Sequence, residues 1–386
     1  MESRLNIACL ARDIVGADRG FNVAADILTH TADGVQLNTL WNEFSSQLIE
    51  WNQTRNAIAA LFTRNTTESF AQVIAGSDSV EFEKQSEFGV PQAVRVQPGY
   101  TRMGFPLDWF DVGIRYTRKF LRDATAEQVR AQHQAVLEAD NRATFRDTMR
   151  ALTSKAQAGS RPVNENGVEI FDLWDGSAGE APPAYAGRTF SSTHDHYLVS
   201  GAAAIDSGDV EALIATIQEH GHGLRTSNEQ LIIMVNPAQA DAIWTWRKNE
   251  VNANGAVAKY DFIPAASAPA YLTDLSIVGD RAPAQFSGLA LDGSYGDAWI
   301  TKNHFVPAGY VIAVATGGPG SLRNPLWFRE HPVAANRGLR LLPQYERYPL
   351  VEATYEHGYG LGVRYRSAAA VMQIKASGSY DNPTWP

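Results

Sequence analysis

Cysteine is almost absent: Cys9 is the only one in 386 residues. No internal disulfide can form, which fits a chain folded in a reducing compartment, and Cys9 itself reads as an ordinary small residue near a terminus. Long apolar runs are absent too. None approaches the length of a membrane span. The first thirty residues carry Arg4, Arg12, Asp13, Asp18 and Arg19 with no apolar signal core, so a soluble chain made in the cytosol is expected. Positive charge is in deficit, with 33 Lys and Arg against 42 Asp and Glu and a net charge of −9. That balance argues against a dedicated nucleic-acid-binding surface, because the bulk field repels phosphate. No repeat of fixed period is present.

What the chain does have is 44% hydrophobic residues and nine tryptophans, enough for two or three compact units. Its most distinctive stretch runs from Thr125 to about Ala158, without glycine or proline and rich in good helix formers. Thr125 and Gln128 have the spacing of a capping box, and Gly159 with Arg161-Pro162 marks the stop. At about 1.5 Å per residue the rod spans roughly 45–50 Å. Val129, Val136, Leu137, Phe145, Met149 and Leu152 form only a narrow apolar stripe, so the helix is expected to lie across a surface.

Before it, residues 1–37 read as an extended arm broken at Gly16, Gly20 and Gly34. A second helical stretch places Trp41, Phe44, Leu48, Trp51, Ile58 and Phe62 at alternating three and four spacing, with Arg55 in the missing place. It is either a seam for another chain or a helix packed on its own domain. Residues 66–123 change to short β-rich segments, FAQVI, AVRV and VGIRYT, between glycines and prolines. A hairpin this long, carrying Glu81, Glu83, Lys84, Glu87, Arg95 and Arg102, needs a surface to lie on.

After the long helix, residues 159–196, rich in Gly, Pro, Ser and Ala, read as a loop or an insertion. Residues 207–223 return to helix, with Ser207 as cap, Val210, Leu213, Ile214 and Ile217 as apolar face and Gly221 as stop. LIIMV (231–235) is a buried strand, and Asn236-Pro237 opens a further helix. Residues 255–345 mix short strands and loops. GYGLGVRYRSAAAVMQIKA (358–376) is a hairpin or pair of strands, and the tail from residue 377 is expected to be loose.

Chemistry-bearing motifs are few. His194 and His196 flank Asp195, and two residues apart on a strand they share a face; with His220 and His222 they could hold a metal, as in a metal-dependent hydrolase. The competing reading makes all four capping or solvent-exposed histidines, with His220 and His222 complementing a helix C-terminus as cations. It is preferred. ATGGPGS (315–321) lacks the lysine of a phosphate loop, and GYGLG (358–362) lacks dinucleotide-binding spacing, so both read as turns. GSYG (293–296) is no nucleophile elbow. No catalytic residue, cofactor or metal ligand is therefore assigned.

Taken in order, these pieces resemble the major capsid proteins of tailed bacteriophages with the Hong Kong 97-type fold, especially those of phages infecting actinobacteria. VPQAVRVQPGY followed by MGFPLDWFDVGIRYTRKFLRDAT (90–125) is similar to the family's extended loop returning to its spine helix, and TAEQ with EADNRATFRDTMRAL to the spine. DSGDVEALIATIQEHG and LIIMVNPAQADAIWTWRK resemble the peripheral-domain helix and the start of the axial domain. AKYDFIP, IVGDRAPAQF and FVPAGYVIAVATGGPGSLRNPLWFREHP resemble the later axial loops, and GYGLGVRYRSAAAVMQI the closing peripheral strands.

The resemblance implies an α+β fold. It would comprise an N-terminal arm and helix (1–64), an extended β-hairpin loop (65–122), a peripheral domain (123–223 and 351–378) with spine helix 125–158, an axial domain (224–350) and a tail (379–386). It implies a structural protein forming pentamers and hexamers of an icosahedral shell around double-stranded phage DNA, bound without sequence specificity, with scaffolding, portal and possible decoration partners and no membrane. Synthesis would be in the host cytoplasm and the final location the virion capsid. The alternatives are an encapsulin-type compartment and the metal-dependent hydrolase. Arg115, Arg118, Arg130, Arg142 and Arg146 are candidates to pair with Glu83 and Glu87 of a neighbour's hairpin, and Trp41, Phe44, Leu48 and Trp51 to form a seam. Lys84, the only lysine before residue 119, is expected to stay uncrosslinked. The arm has no long charged helical run, so scaffolding is expected to come from a separate protein.

Overall fold

The computed structural model describes residues 29–54, 57–74, 100–157, 159–176, 180–266, 281–342 and 351–385. Expectations about Cys9, Lys84, Glu83, Glu87, most of the arm and the charged part of the hairpin lie outside them. The elements in chain order are α1 (Leu37–Thr54), α2 (Ala57–Phe62), β1 (Thr63–Thr66), β2 (Phe70–Ile74), β3 (Tyr100–Gly104), β4 (Asp108–Tyr116), α3 (Arg118–Asp123) and α4 (Ala126–Thr153). Then come β5 (Tyr197–Val199), α5 (Ser207–Gln218), β6 (Gln230–Val235), α6 (Pro237–Ile243), β7 (Phe262–Pro264), β8 (Gln285–Phe286), β9 (Leu289–Ala290), β10 (Gly293–Tyr295) and β11 (Ala298–Lys302). The chain closes with β12 (Tyr310–Thr316), β13 (Leu326–Glu330), β14 (Leu339–Leu342), β15 (Val351–Val363) and β16 (Ala369–Gln373). They divide between two compact units, one within residues 1–51, 111–137 and 341–355 and the other within 52–110, 138–340 and 356–386.

The larger unit is built on a seven-stranded sheet of order β5-β16-β12-β6-β11-β10-β7. β6 is the run QLIIMV, and it lies between β12, antiparallel, and β11, parallel. A strand buried on both faces needs apolar residues at every position, not alternation. Leu231, Ile233 and Val235 accordingly pack with Val210, Leu213 and Ile217 of α5, while Ile232 and Met234 pack with Met149 and Leu152 of α4 and with Leu61 and Phe62. Each such side chain contributes about 1.5–3 kcal/mol by leaving water.

Helix boundaries follow the polar groups that capture the end amides. α5 is capped by Asp206 rather than Ser207: Asp206 Oδ1 accepts from the Asp209 amide (3.1 Å) and Asp209 Oδ2 from the Asp206 amide (3.0 Å). Ser207 is buried, and its hydroxyl accepts from Asn252 Nδ2 at 2.9 Å instead. Asn236 caps α6 through the Ala238 amide (3.1 Å), with Pro237 in the first turn as expected. The long helix stops at Thr153, short of the expected Ala158. Beyond Ser154 the amides leave the helical ladder: Lys155 donates to Asn382 Oδ1 (2.7 Å) and Ala156 to Asp172 Oδ2 (2.6 Å).

That capture also corrects the reading of the tail as loose. Tyr380 OH donates to the Thr153 carbonyl (2.7 Å), Trp385 Nε1 to Thr153 Oγ1 (3.0 Å) and Asn382 Nδ2 to the Lys155 carbonyl (3.0 Å), so the C-terminal residues seal the end of α4.

GYGLG is not a turn but the middle of β15. Its glycines fall at every second position, hence on one face of the strand, and that face receives residues 104–109: a Cβ on Gly360 would lie 2.0 Å from the Pro106 carbonyl oxygen. ATGGPGS does form a turn, after β12, with positive φ at Gly318 and Gly320. Buried Asn324 stitches it down, donating through Nδ2 to the carbonyls of Thr63 and Gly318 (both 2.9 Å). β2 and β3 pair antiparallel from Phe70↔Gly104 to Ile74↔Tyr100, the base of the expected hairpin. The last two strands separate, β15 pairing with β13 and β16 with β12 and β5.

In the smaller unit, α1 packs through Leu40, Phe44 and Leu48, and the first half of α4 through Val129, His133 and Val136. Phe44 stacks on the His133 ring at 4.1 Å, and His133 Nδ1 meets Tyr355 OH at 2.7 Å. Half of the expected capping box forms, Gln128 Oε1 accepting from the Thr125 amide at 3.0 Å. The Ala126 amide is taken by Asp33 (3.0 Å), a cap from distant sequence. The Thr31 hydroxyl and that amide hold the Asp33 carboxyl below its ordinary range.

Candidate assembly surfaces and a buried histidine cluster

Two of the four seam residues are core residues of their own unit: Phe44 is fully buried and Leu48 nearly so, while Trp41 and Trp51 are half-buried. Trp41 packs its edge on Phe44 (5.5 Å) and lies near Tyr116 (6.0 Å). Large apolar side chains do reach solvent elsewhere. Ile49 of α1 is 64% exposed, and β4 carries Trp109 (46%), Phe110 (43%) and Val112 (47%) in near succession. Neighbouring strand residues point to opposite faces, so β4 presents apolar surface on both, a pattern that the aromatic content of DWFDVG signals.

Of the basic candidates, Arg130 is engaged within the chain, its Nε 3.0 Å from Glu43 Oε2 and its Nη1 3.8 Å from Glu127. Arg146 pairs with Asp147 (3.2 Å). Arg142 is exposed and makes no ion pair among the described residues, and Arg115 is also exposed. The side chain of Arg118, like Glu83 and Glu87, lies outside the described residues. Sequence reasoning passed over two acidic residues on α4. Asp140 Oδ1 meets His357 Nδ1 at 2.5 Å, and Asp147 Oδ2 accepts from Tyr359 OH at 2.7 Å. Seven residues make two helical turns and two residues one strand period, so both pairs align; either period alone is too common to identify them.

Three of the four singled-out histidines converge. His194 and His196 precede β5, and His220 follows the C-terminus of α5, where Gly221 takes φ +80° and lets the chain turn back. His196 Nε2 lies 3.2 Å from His220 Nε2, which lies 2.9 Å from His194 Nε2. Glu219 Oε1 is 3.2 Å from His194 Nε2, and its Oε2 is held by Arg188 Nη2 at 2.6 Å. Phe190 stacks on the His220 ring at 4.0 Å. His196 and His220 are buried, not solvent-exposed as expected. Nor does His220 serve α5 as a cation: burial pushes its pKa down to about 3, and burial likewise lowers those of His194 and His196. His222 stands apart, its Nδ1 3.6 Å from Glu229.

A buried strand layer, a 28-residue helix and a strand with apolar residues exposed on both faces describe a subunit that is completed by neighbours: a structural building block of a protein shell. No family model and no curated protein matches the chain. Among solved structures, a chain of Mycobacterium phage Patience is 37% identical, with 95% of this chain and 96% of that one covered and a TM-score of 0.71. The capsid of an empty GTA particle is similar at 13% identity, covering 83% and 91%, with a TM-score of 0.47. An encapsulin of Synechococcus elongatus is similar at 10% identity, covering 86% and 92%, with a TM-score of 0.45; neither of these two bears on function. The chain belongs to the Hong Kong 97-type major capsid proteins of tailed bacteriophages. Its role is structural, in the shell of a phage capsid, and not enzymatic.

Proposed function

We propose that copies of this chain assemble as pentamers and hexamers into an icosahedral shell enclosing double-stranded phage DNA. The observation that carries this reading is the 37% identity to the chain of Mycobacterium phage Patience over nearly the whole of both chains. The exposed apolar residues of β4 and Ile49 support it, since a monomer leaves them in water and a neighbouring copy would cover them. In such a subunit α4 acts as the spine, residues 224–350 as the axial domain, and residues 65–122 as the loop laid over a neighbour. Exposed Arg142 is available for a neighbour's carboxylates; each exposed pair is worth about 0–1 kcal/mol, a small term repeated in every copy. A separate scaffolding protein and a portal are the expected partners, with decoration proteins as further candidates, and synthesis occurs in the host cytoplasm. DNA is enclosed without sequence reading, consistent with a net charge of −9. Coexpression with the scaffolding protein of the same phage, followed by negative-stain microscopy, should give closed particles. A dispersed monomer under every assembly condition overturns the reading.

A further inference from the structure

We propose that His194, His196 and His220, with the Glu219 carboxylate, bind one divalent cation of the zinc type as a structural clamp. The ring nitrogens come from two separate places in the chain and yet all lie within 4.8 Å of one another. Ligands about 2.0–2.1 Å from a tetrahedral zinc stand roughly 3.3 Å apart. His196 to His220 at 3.2 Å, His220 to His194 at 2.9 Å and His194 to Glu219 at 3.2 Å fall just below that spacing, and His220 to Glu219 at 3.9 Å falls above it.

Hydrogen bonding alone leaves the group in conflict. His196 Nδ1 lies 2.7 Å from the Ala369 carbonyl, which can only accept, so this nitrogen carries the proton and Nε2 keeps a bare lone pair. Glu219 Oε1 also only accepts. If His194 Nε2 carries a proton for Glu219, it leaves His220 Nε2 to accept it as well, and His220 then has no proton for His196, so two lone pairs face each other at 3.2 Å. If His220 carries the proton instead, it serves His196, and His194 then turns either a second proton toward His220 or a bare lone pair toward the carboxylate. One contact is unfavourable in every arrangement of neutral rings. A cation at the centre accepts all four lone pairs at once.

The surroundings suit that role. The bond from His196 Nδ1 to a backbone carbonyl is the outer contact that fixes a ligating histidine's tautomer, and Arg188 orients the carboxylate through its other oxygen. His220 Nδ1 is buried without a hydrogen-bond partner, so this ring lacks the outer contact that His196 has. Glu219 fills the fourth position and Phe190 covers the His220 ring, which makes the site closed and structural instead of hydrolytic. The cation would tie the segment leading into β5 to the end of α5.

The test uses the full chain without a histidine tag, stripped with chelator and titrated with Co²⁺ and then Zn²⁺. About one Co²⁺ per chain should bind, with the visible d–d bands of a four-coordinate ion, and Zn²⁺ should bleach them. His194→Ala, a partly exposed position, should weaken binding by at least ~100-fold with the circular dichroism spectrum retained, Glu219→Gln should weaken it by about tenfold or more, and His222→Ala should change nothing. His196→Ala is uninformative if it misfolds, and His194→Ala then decides. Folded wild-type chain that binds no Co²⁺, or His194→Ala that binds it as tightly as wild type, overturns the proposal. Binding is read on the unassembled chain, so the result does not depend on whether shells form.

Discussion

Substituting Gly360 by alanine is the sharpest perturbation of the contact between β15 and the strand-to-strand connection that crosses it. The added Cβ would stand 2.0 Å from the Pro106 oxygen, 2.5 Å from its carbonyl carbon and 3.2 Å from the Leu107 nitrogen, all backbone atoms. No rotamer change relieves such a contact; the two segments must part by about 1 Å or more to restore van der Waals distance. Residues 104–105 cannot yield freely. The Gly104 amide donates to the Glu169 carbonyl (2.7 Å), the Phe105 amide to the Ser69 carbonyl (2.9 Å), and Arg329 Nη1 to the Phe105 carbonyl (2.7 Å). β15 is fixed on its other side by pairing of Gly360 with Arg329. Overpacking costs about 1–3 kcal/mol, and a lost charged hydrogen bond adds about 1.5–3. A loss of about 3–4 kcal/mol is therefore expected. At roughly 2 °C per kcal/mol for a unit of this size, the thermal unfolding midpoint should fall by about 6–8 °C by circular dichroism. Gly362→Ala should cost less, because its nearest obstacle is the Phe105 ring (2.5 Å), and Gly113→Ala, with nothing within 4 Å, should be neutral. A Gly360→Ala midpoint within a degree of wild type would refute the reasoning.

Three further outcomes follow from the same structure. Ala135 is exposed in the middle of α4, so Ala135→Pro removes a helical hydrogen bond without touching the core; it should cost about 3 kcal/mol or more and yield no particles by microscopy, and normal particles would show that the spine is dispensable. His133 is held neutral by burial, with a folded pKa of about 4 against 6.5. Below pH 6.5 the unfolded chain takes up a proton that the folded one refuses, so this contribution to stability, full above pH 6.5, declines as pH falls toward 4. His133→Gln should flatten that acid limb in denaturation series between pH 7 and 4, and parallel profiles would contradict the assignment. Val112→Glu places a charge at an exposed position of β4. It should leave the spectrum and melting of the unassembled chain unchanged while blocking assembly, and wild-type particle yield would mean that this surface stays in solvent.

Much of the fold was legible where a residue's neighbours are local. The stretch 231–243 shows it: a short apolar run rich in β-branched residues reads as a strand buried on both faces, and Asn-Pro suits the start of a helix. The errors have one physical source, a distant partner outbidding a local signal. Ser207 had the right chemistry to cap α5 but spends its hydroxyl on Asn252, and the acidic pair Asp206 and Asp209 takes over. Gly159 had the right chemistry to end α4, yet Asp172 and Asn382 unwind the last turn first. GYGLG had the composition of a turn. Whether alternating glycines bend a strand or flatten one face of it depends on what crosses that face, and residues 104–109 are some 250 positions away.

The histidines sharpen the same point at the level of chemistry. His-x-His and the histidines after a helix were visible as motifs, and each was better explained alone as capping or solvent-exposed, the second pair because a helix C-terminus favours a cation. That explanation depends on the rings being protonated and wet. Folding removes both conditions: β5 is the edge strand of the sheet on which α5 packs, so the ends of the two motifs are carried into one desolvated space where the charged form is the costly one. A helix end worth about 0.3–1 kcal/mol to a cation cannot offset that burial. Once the rings are neutral, their lone pairs converge with a carboxylate and too few protons, and the balance turns from capping toward an external cation. The residue that tips it, Glu219, drew no notice in the sequence, since a glutamate closing a helix is ordinary until Arg188 aims it at His194.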